Sequence, residues 1–146
     1  MVQTATIELE YLMTLHLTPQ APQTIDAGNR VFNVTGGWVE GPKIKAKLVA
    51  PFGDWLQVLP SGVVRLDVRG TMVTDDDQLI SISYNGVVDT KVNGNPNAPY
   101  LVIAPTFRTN SEKYGWLNHL QAVGKMVQLS TGPENRFTRY DIFGVR

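Results

Sequence analysis

Residues 63–74 read Val63-Val64-Arg65-Leu66-Asp67-Val68-Arg69-Gly70-Thr71-Met72-Val73-Thr74. From Val64 to Arg69 the polarity changes at every step. Val64, Leu66, Val68 and Met72 therefore share one face, and Arg65, Asp67 and Arg69 the other. A two-residue period belongs to a β-strand with one face against a core. The segment just upstream repeats it, with Lys43, Lys45 and Lys47 opposite Ile44, Ala46 and Leu48. A first strand is predicted over residues 6–17. It carries Ile7, Leu9, Tyr11, Met13, Leu15 and Leu17 on one face and Glu8, Glu10, Thr14 and His16 on the other.

Turn formers divide the rest of the chain. Pro51-Phe52-Gly53-Asp54 is expected to turn, leading into a short strand over residues 55–59 that ends at Pro60-Ser61-Gly62. Asp75-Asp76-Asp77 closes the strand that began at Val63. Further strands are expected over residues 30–35, 79–85, 100–109, 121–129 and 137–145, with a polar loop at 91–99 and one helical turn within 111–120. No helix is long enough for a parallel crossover. The expectation is all-β: roughly eight to ten antiparallel strands closing into one β-barrel domain over residues 1–146, with space inside for one small ligand.

Composition removes whole classes of chemistry. The chain has 146 residues, with 13 Lys+Arg against 13 Asp+Glu, so no basic field exists to hold nucleic acid or an anionic membrane. Cys is absent, which excludes disulfides, thiolate nucleophiles and Cys-built metal centres. His16 and His119 are the only histidines. No phosphate loop, dinucleotide fingerprint or serine-hydrolase elbow occurs. Asp75-Asp76-Asp77 with Asp89 lacks the spacing of a calcium loop and reads as a solvated turn. Neither a metal nor a cofactor is expected. Glu8 and Glu10 interrupt any leader-like apolar run, and Leu101-Val102-Ile103-Ala104 falls far short of the ~20 residues of a membrane span. A cytoplasmic location follows as the expectation.

What chemistry remains is proton transfer by ordinary side chains. Asp54 beside Trp55 is one candidate, since desolvation against an indole raises a carboxylate toward the working range of a general acid or base; an Asx turn is the plainer reading. Asp67 and Arg69 share a strand face, where a guanidinium keeps the carboxylate ionised or clamps a substrate oxyanion. The plainer reading makes that face an ordinary charged exterior. His16 ends the first strand, at what would be a barrel mouth, and is a candidate proton shuttle. Tyr11, Trp38, Trp55, Tyr84 and Trp116 are candidate ring-holding residues, with barrel filler as the alternative.

Five segments then carry a resemblance. They are Gly36-Gly37-Trp38-Val39-Glu40-Gly41-Pro42, Gly53-Asp54-Trp55, Val64-Arg65-Leu66-Asp67-Val68-Arg69, Val73-Thr74-Asp75-Asp76, and Pro105-Thr106-Phe107 with Tyr114-Gly115-Trp116-Leu117-Asn118. In order and spacing the chain resembles the domain-of-unknown-function 3237 family of small bacterial and fungal proteins. The resemblance implies a lipocalin-like or allene-oxide-cyclase-like barrel, often a homodimer, whose characterised members act on small, often aromatic molecules without a cofactor. Asp54, Asp67 and Arg69 match its GADW-like and LDAR-like segments, and Tyr114, Trp116 and Asn118 its Y-x-W-L-N segment. Ser61-Gly62 and Asp77-Gln78 depart from the family's Asp-Gly turns.

The functional expectation is a cofactor-independent isomerase, cyclase or lyase acting on a small phenolic or polyketide-like molecule. Asp54, Asp67 or His16 would move the proton, with Arg69 on an oxyanion. The rivals are a non-catalytic carrier of a small apolar ligand and a dimeric interaction module. Which way Arg65, Asp67 and Arg69 face separates them.

Overall fold

The computed structural model describes residues 1–92, 94–95 and 97–146; Asn93 and Pro96, in the expected 91–99 loop, lie outside the described residues. The strands are β1 (Leu9–Pro19), β2 (Gln23–Asp26), β3 (Asn29–Glu40), β4 (Lys45–Val58), β5 (Val64–Thr74), β6 (Leu79–Asp89), β7 (Tyr100–Arg108), β8 (Ala122–Ser130) and β9 (Phe137–Val145). Among the described residues a single 3-10 turn, Gly115–His119, sits between β7 and β8. The sheet order is β1-β9-β8-β7-β6-β5-β4-β3-β2, antiparallel throughout, and β1 also pairs with β3. That last pairing closes eight strands into a barrel, and β2 is a short ribbon on the start of β3.

Within β5 the sequence period is obeyed. Leu66, Val68 and Met72 are buried, whereas Arg65, Asp67 and Arg69 are exposed on the outer surface. Elsewhere bulges interrupt the period. The expected turn at residues 51–54 is instead the middle of one 14-residue strand, β4. Its register with β5 shifts between Val49↔Thr71 and Phe52↔Gly70. Pro51 has no N–H for a ladder, and a bulge accommodates it while buried Phe52 and Leu56 carry the strand onward. In β1 a register shift between Tyr11 and Met13 buries both Leu12 and Met13 and leaves Tyr11 outside. In β3 a shift between Asn33 and Trp38 places both Val34 and Val39 in the core and turns Trp38 outward.

The barrel is filled at one end and hollow at the other. Met13, Met72, Ile80, Ile82, Leu117 and Ile142 are each at most 1% exposed and pack the end beneath the 3-10 turn. The turn is fastened there by residues of the Y-x-W-L-N segment. Asn118 accepts the Thr109 N–H at 2.8 Å and donates to the Thr109 carbonyl at 2.9 Å. Tyr114, itself buried, donates its hydroxyl to Asp76 Oδ1 at 2.8 Å, and Lys113 Nζ reaches Asp76 Oδ2 at 3.0 Å. The aspartate run is therefore a latch between the β5–β6 turn and the cap.

Bonds from Thr74, Lys113 and Tyr114 hold the Asp76 carboxyl well below the usual carboxylate range. A carboxylate depressed in the folded state stabilises the fold above its unfolded pKa, and that contribution is lost as pH falls through the folded value. Tyr114→Phe is expected to lower the thermal midpoint by a few degrees at neutral pH. The deficit should shrink in strong acid, where Asp76 is protonated in both proteins; melting curves across pH measure this.

Candidate functional site

The hollow end encloses a cavity of about 260 Å³. Its walls are side chains of all eight barrel strands, among them Leu17, Phe32, Leu56, Leu66, Val68 and Leu101. Besides Ser130, Thr131, Arg136 and Thr138, three polar groups converge in this largely apolar chamber. Asp54 on β4 pairs across the sheet with Val68 on β5, and Val68 with Tyr84 on β6, so Asp54 and Tyr84 lie in one cross-strand row facing inward. Tyr140 comes from β9, and its ring meets that of Tyr84 edge-on, with centroids 6.0 Å apart.

The Asp54 carboxyl is held by an irregularity in the ladder. The β4–β5 pairs run from Asp54↔Val68 to Gln57↔Arg65, and between them the Asp67 N–H donates to Asp54 Oδ1 at 3.1 Å. Burial is the main cause that raises Asp54 to about 6; the Asp67 N–H partly opposes the rise, and the Asp67 charge adds a smaller push upward. Burial also pushes both phenols above the usual tyrosine range, and the nearby Asp54 charge acts in the same direction on each. At neutral pH the chamber thus holds a carboxylate that titrates within reach of physiological pH and two protonated hydroxyls.

Of the residues singled out in the sequence, the cavity receives Asp54 and Tyr84. Asp67 and Arg69 face away from it, because β5 turns its charged side outward. With Arg65, Trp55, Asn85 and Tyr100 they line an open groove of about 670 Å³ on the outer wall. Asp67 still contributes to the site through its backbone N–H. His16 is also outside: it stacks on Trp38 at 5.1 Å and on Phe137 at 4.8 Å, and Nδ1 accepts from Arg139 Nε at 3.2 Å. Burial and the Arg139 charge lower its pKa, so it stands as a neutral acceptor in an aromatic stack. Tyr11 bonds Thr14 Oγ1 at 2.6 Å on the same exterior. Trp116 lies at the filled end, 5.6 Å from Lys43 Nζ.

Of the four titratable lining residues, Tyr140 and Arg136 were not among the sequence candidates. Alternation in Thr138-Arg139-Tyr140-Asp141-Ile142 does place Tyr140 on the face of Ile142, which is a usable signal. Arg136 belongs to the loop before β9, where no period exists to read.

Among the described residues no helix is long and apolar enough to cross a membrane. A beta-barrel-like protein from Acinetobacter baumannii is 28% identical, with full coverage of both chains and a TM-score of 0.81. A structure described as an enzyme from Penicillium herquei superposes with a TM-score of 0.74 at 21% identity, covering 99% of this chain and 98% of that one, a likeness of fold. An uncharacterised UPF0311 protein from Clostridium acetobutylicum is 32% identical over 98 residues, and the match spans 60% of this chain and 62% of that protein. Residues 7–145 match the family described as protein of unknown function (DUF3237), so nearly the whole chain is accounted for and it belongs to that family.

Proposed function

We propose that the chain is a cofactor-independent acid–base enzyme working inside the hollow end of the barrel. The observation that carries this reading is the convergence of Asp54, Tyr84 and Tyr140 in a largely apolar chamber. A carrier for an apolar ligand has no use for a buried carboxylate raised toward neutrality, because burying it costs stability. That a fold relative is described as an enzyme is in keeping with this reading.

The chemistry suits a small ring-bearing molecule with an enolisable carbonyl. The Asp54 carboxylate takes the proton from the carbon next to the carbonyl. The C–H electron pair becomes the new C=C bond, and the carbonyl π pair moves to oxygen. Tyr84 and Tyr140 donate hydrogen bonds to that developing oxyanion, the role first expected of Arg69. Asp54, now protonated, returns the proton to the same carbon or to a conjugated one, giving exchange or isomerisation with no redox change. Cyclisation and cleavage of polyketide-like substrates begin from the same enolate.

The test is wash-out of deuterium from C1-deuterated 2-tetralone, a neutral two-ring ketone, followed by mass. The rate above the uncatalysed background is expected to rise with pH through about 6 and then level, because the base must be ionised. A rate that stays at background, or one indifferent to pH across that range, counts against the reading.

A further inference from the structure

We propose that the natural ligand of this cavity is an organic carboxylate: an apolar body of about two fused rings whose acid group pairs with Arg136 at the mouth. This rests on the reading that the hollow end is the working site, and it adds the substrate class.

Arg136 is half-buried and lines the cavity beside Ser130, Thr131 and Thr138. Among the described residues its side chain has no ion pair within 4.0 Å and no hydrogen bond. Arg139 is satisfied by His16 and Gln128 and Arg146 by Glu10; among the described residues Arg30, Arg65, Arg69 and Arg108 lack a side-chain partner too, but they are exposed to water and none lines this cavity. Arg136 stays charged at any working pH, carries five donors in a planar fork, and matches a carboxylate in two-point fashion. A partly desolvated guanidinium with no internal partner is costly to keep unless an external anion completes it.

Charge and size narrow the anion. Arg136 is the only cationic side chain lining the cavity among the described residues, and Asp54 the only anionic one. One guanidinium balances one carboxylate, whereas a phosphate monoester brings about −1.5 to −2 charge and would call for a second cation. An apolar cavity of about 150 Å³ takes a benzene ring, so the 260 Å³ here suits roughly a fused bicycle. With the acid group held at the mouth, the ring system enters the apolar shaft toward Asp54, Tyr84 and Tyr140. The ligand's own charge is thereby kept at the wet end, apart from the Asp54 carboxylate.

The experiment compares 2-naphthoate with its neutral isostere 2-naphthamide by titration calorimetry. The wild-type chain is expected to prefer 2-naphthoate by at least about tenfold, equivalent to ~1.4 kcal/mol. Arg136→Gln should remove that preference while leaving 2-naphthamide within about twofold, and Arg136→Lys should restore only part of it, since a point charge replaces the fork. Arg69→Gln, on the outer groove, should change neither affinity. No preference in the wild type, equal losses for both probes in Arg136→Gln, or a loss in Arg69→Gln instead, would each overturn the proposal. Its fate is separable from that of the acid–base reading. An Arg136-dependent preference without tetralone wash-out keeps the anion site and removes the enzyme. Wash-out that needs Asp54, with no naphthoate preference, does the reverse.

Discussion

Asp54→Asn is expected to abolish turnover and at the same time to make the protein more stable. Removing a general base lowers the rate by about 10²–10⁴. The amide is isosteric and its oxygen still accepts the Asp67 N–H, so the barrel geometry survives. The stability gain follows from linkage. Asp54 is raised from 3.8 to about 6, so between these values the folded chain holds a proton that the unfolded chain has released. Stability therefore falls as pH rises through that window, and at pH 7 the wild type carries the whole penalty, about 2–3 kcal/mol. Asn has nothing to titrate. Its thermal midpoint at pH 7 should exceed the wild type's by about 5 °C or more, and the gain should vanish near pH 4. A residue kept only for structure would show the opposite sign. Arg69→Ala, on the exterior, should leave turnover intact and move stability by less than about 0.5 kcal/mol, contrary to the expectation drawn from sequence alone.

The second large effect is structural. Gly37→Ala should unzip the seam that closes the barrel. Gly37 pairs with Leu17 across β1–β3, and its φ of +141° lies where side chains are rarely tolerated. A methyl group there would overlap the His16 carbonyl oxygen and come within 2.8 Å of Leu48 Cδ1. The first obstacle is backbone in the pairing strand, which cannot rotate away. A loss of at least about 3 kcal/mol is expected, read as a fall in the urea midpoint or failure to accumulate folded protein. Gly36→Ala provides the contrast, since its methyl would sit 3.4 Å from Thr18 Oγ1 in near-ordinary contact. The two neighbours should differ by most of the effect.

These variants also mark what a reader of the sequence can and cannot see. β5 was legible because nothing interrupts its alternation, so Arg65, Asp67 and Arg69 shared a face; only closure of the barrel decides that this face is outside. β9 was placed correctly at Phe137–Val145 because the turn formers of residues 130–136 mark where it begins. Asp54 was chosen for its neighbour Trp55, yet Trp55 points outward and supplies none of the desolvation. The burial comes from the opposite walls, through pairings that local sequence does not carry. Tyr11 and Trp38 were misplaced by register shifts that depend on the facing strand. Tyr114 and Asn118 were recognisable as a motif, and their role proved to be fastening the cap to β7 and Asp76. Arg136 gave no signal, since a loop residue becomes a lining residue only when the strand ends around it are fixed.

The shift in β3 has an evolutionary consequence. Phe32 and Val34 face inward on one parity and Val39 on the other, so the strand is read in two frames joined near Gly36-Gly37. Inserting or deleting one residue at that junction could exchange the frame of the half-strand before it, turning Phe32 and Val34 out of the chamber and Val31 and Asn33 into it. A barrel built this way can replace its lining wholesale in one genetic event, where point substitution alters a single side chain at a time. The filled end, with its own well-packed core, would keep such a chain folded while the new chamber is tried.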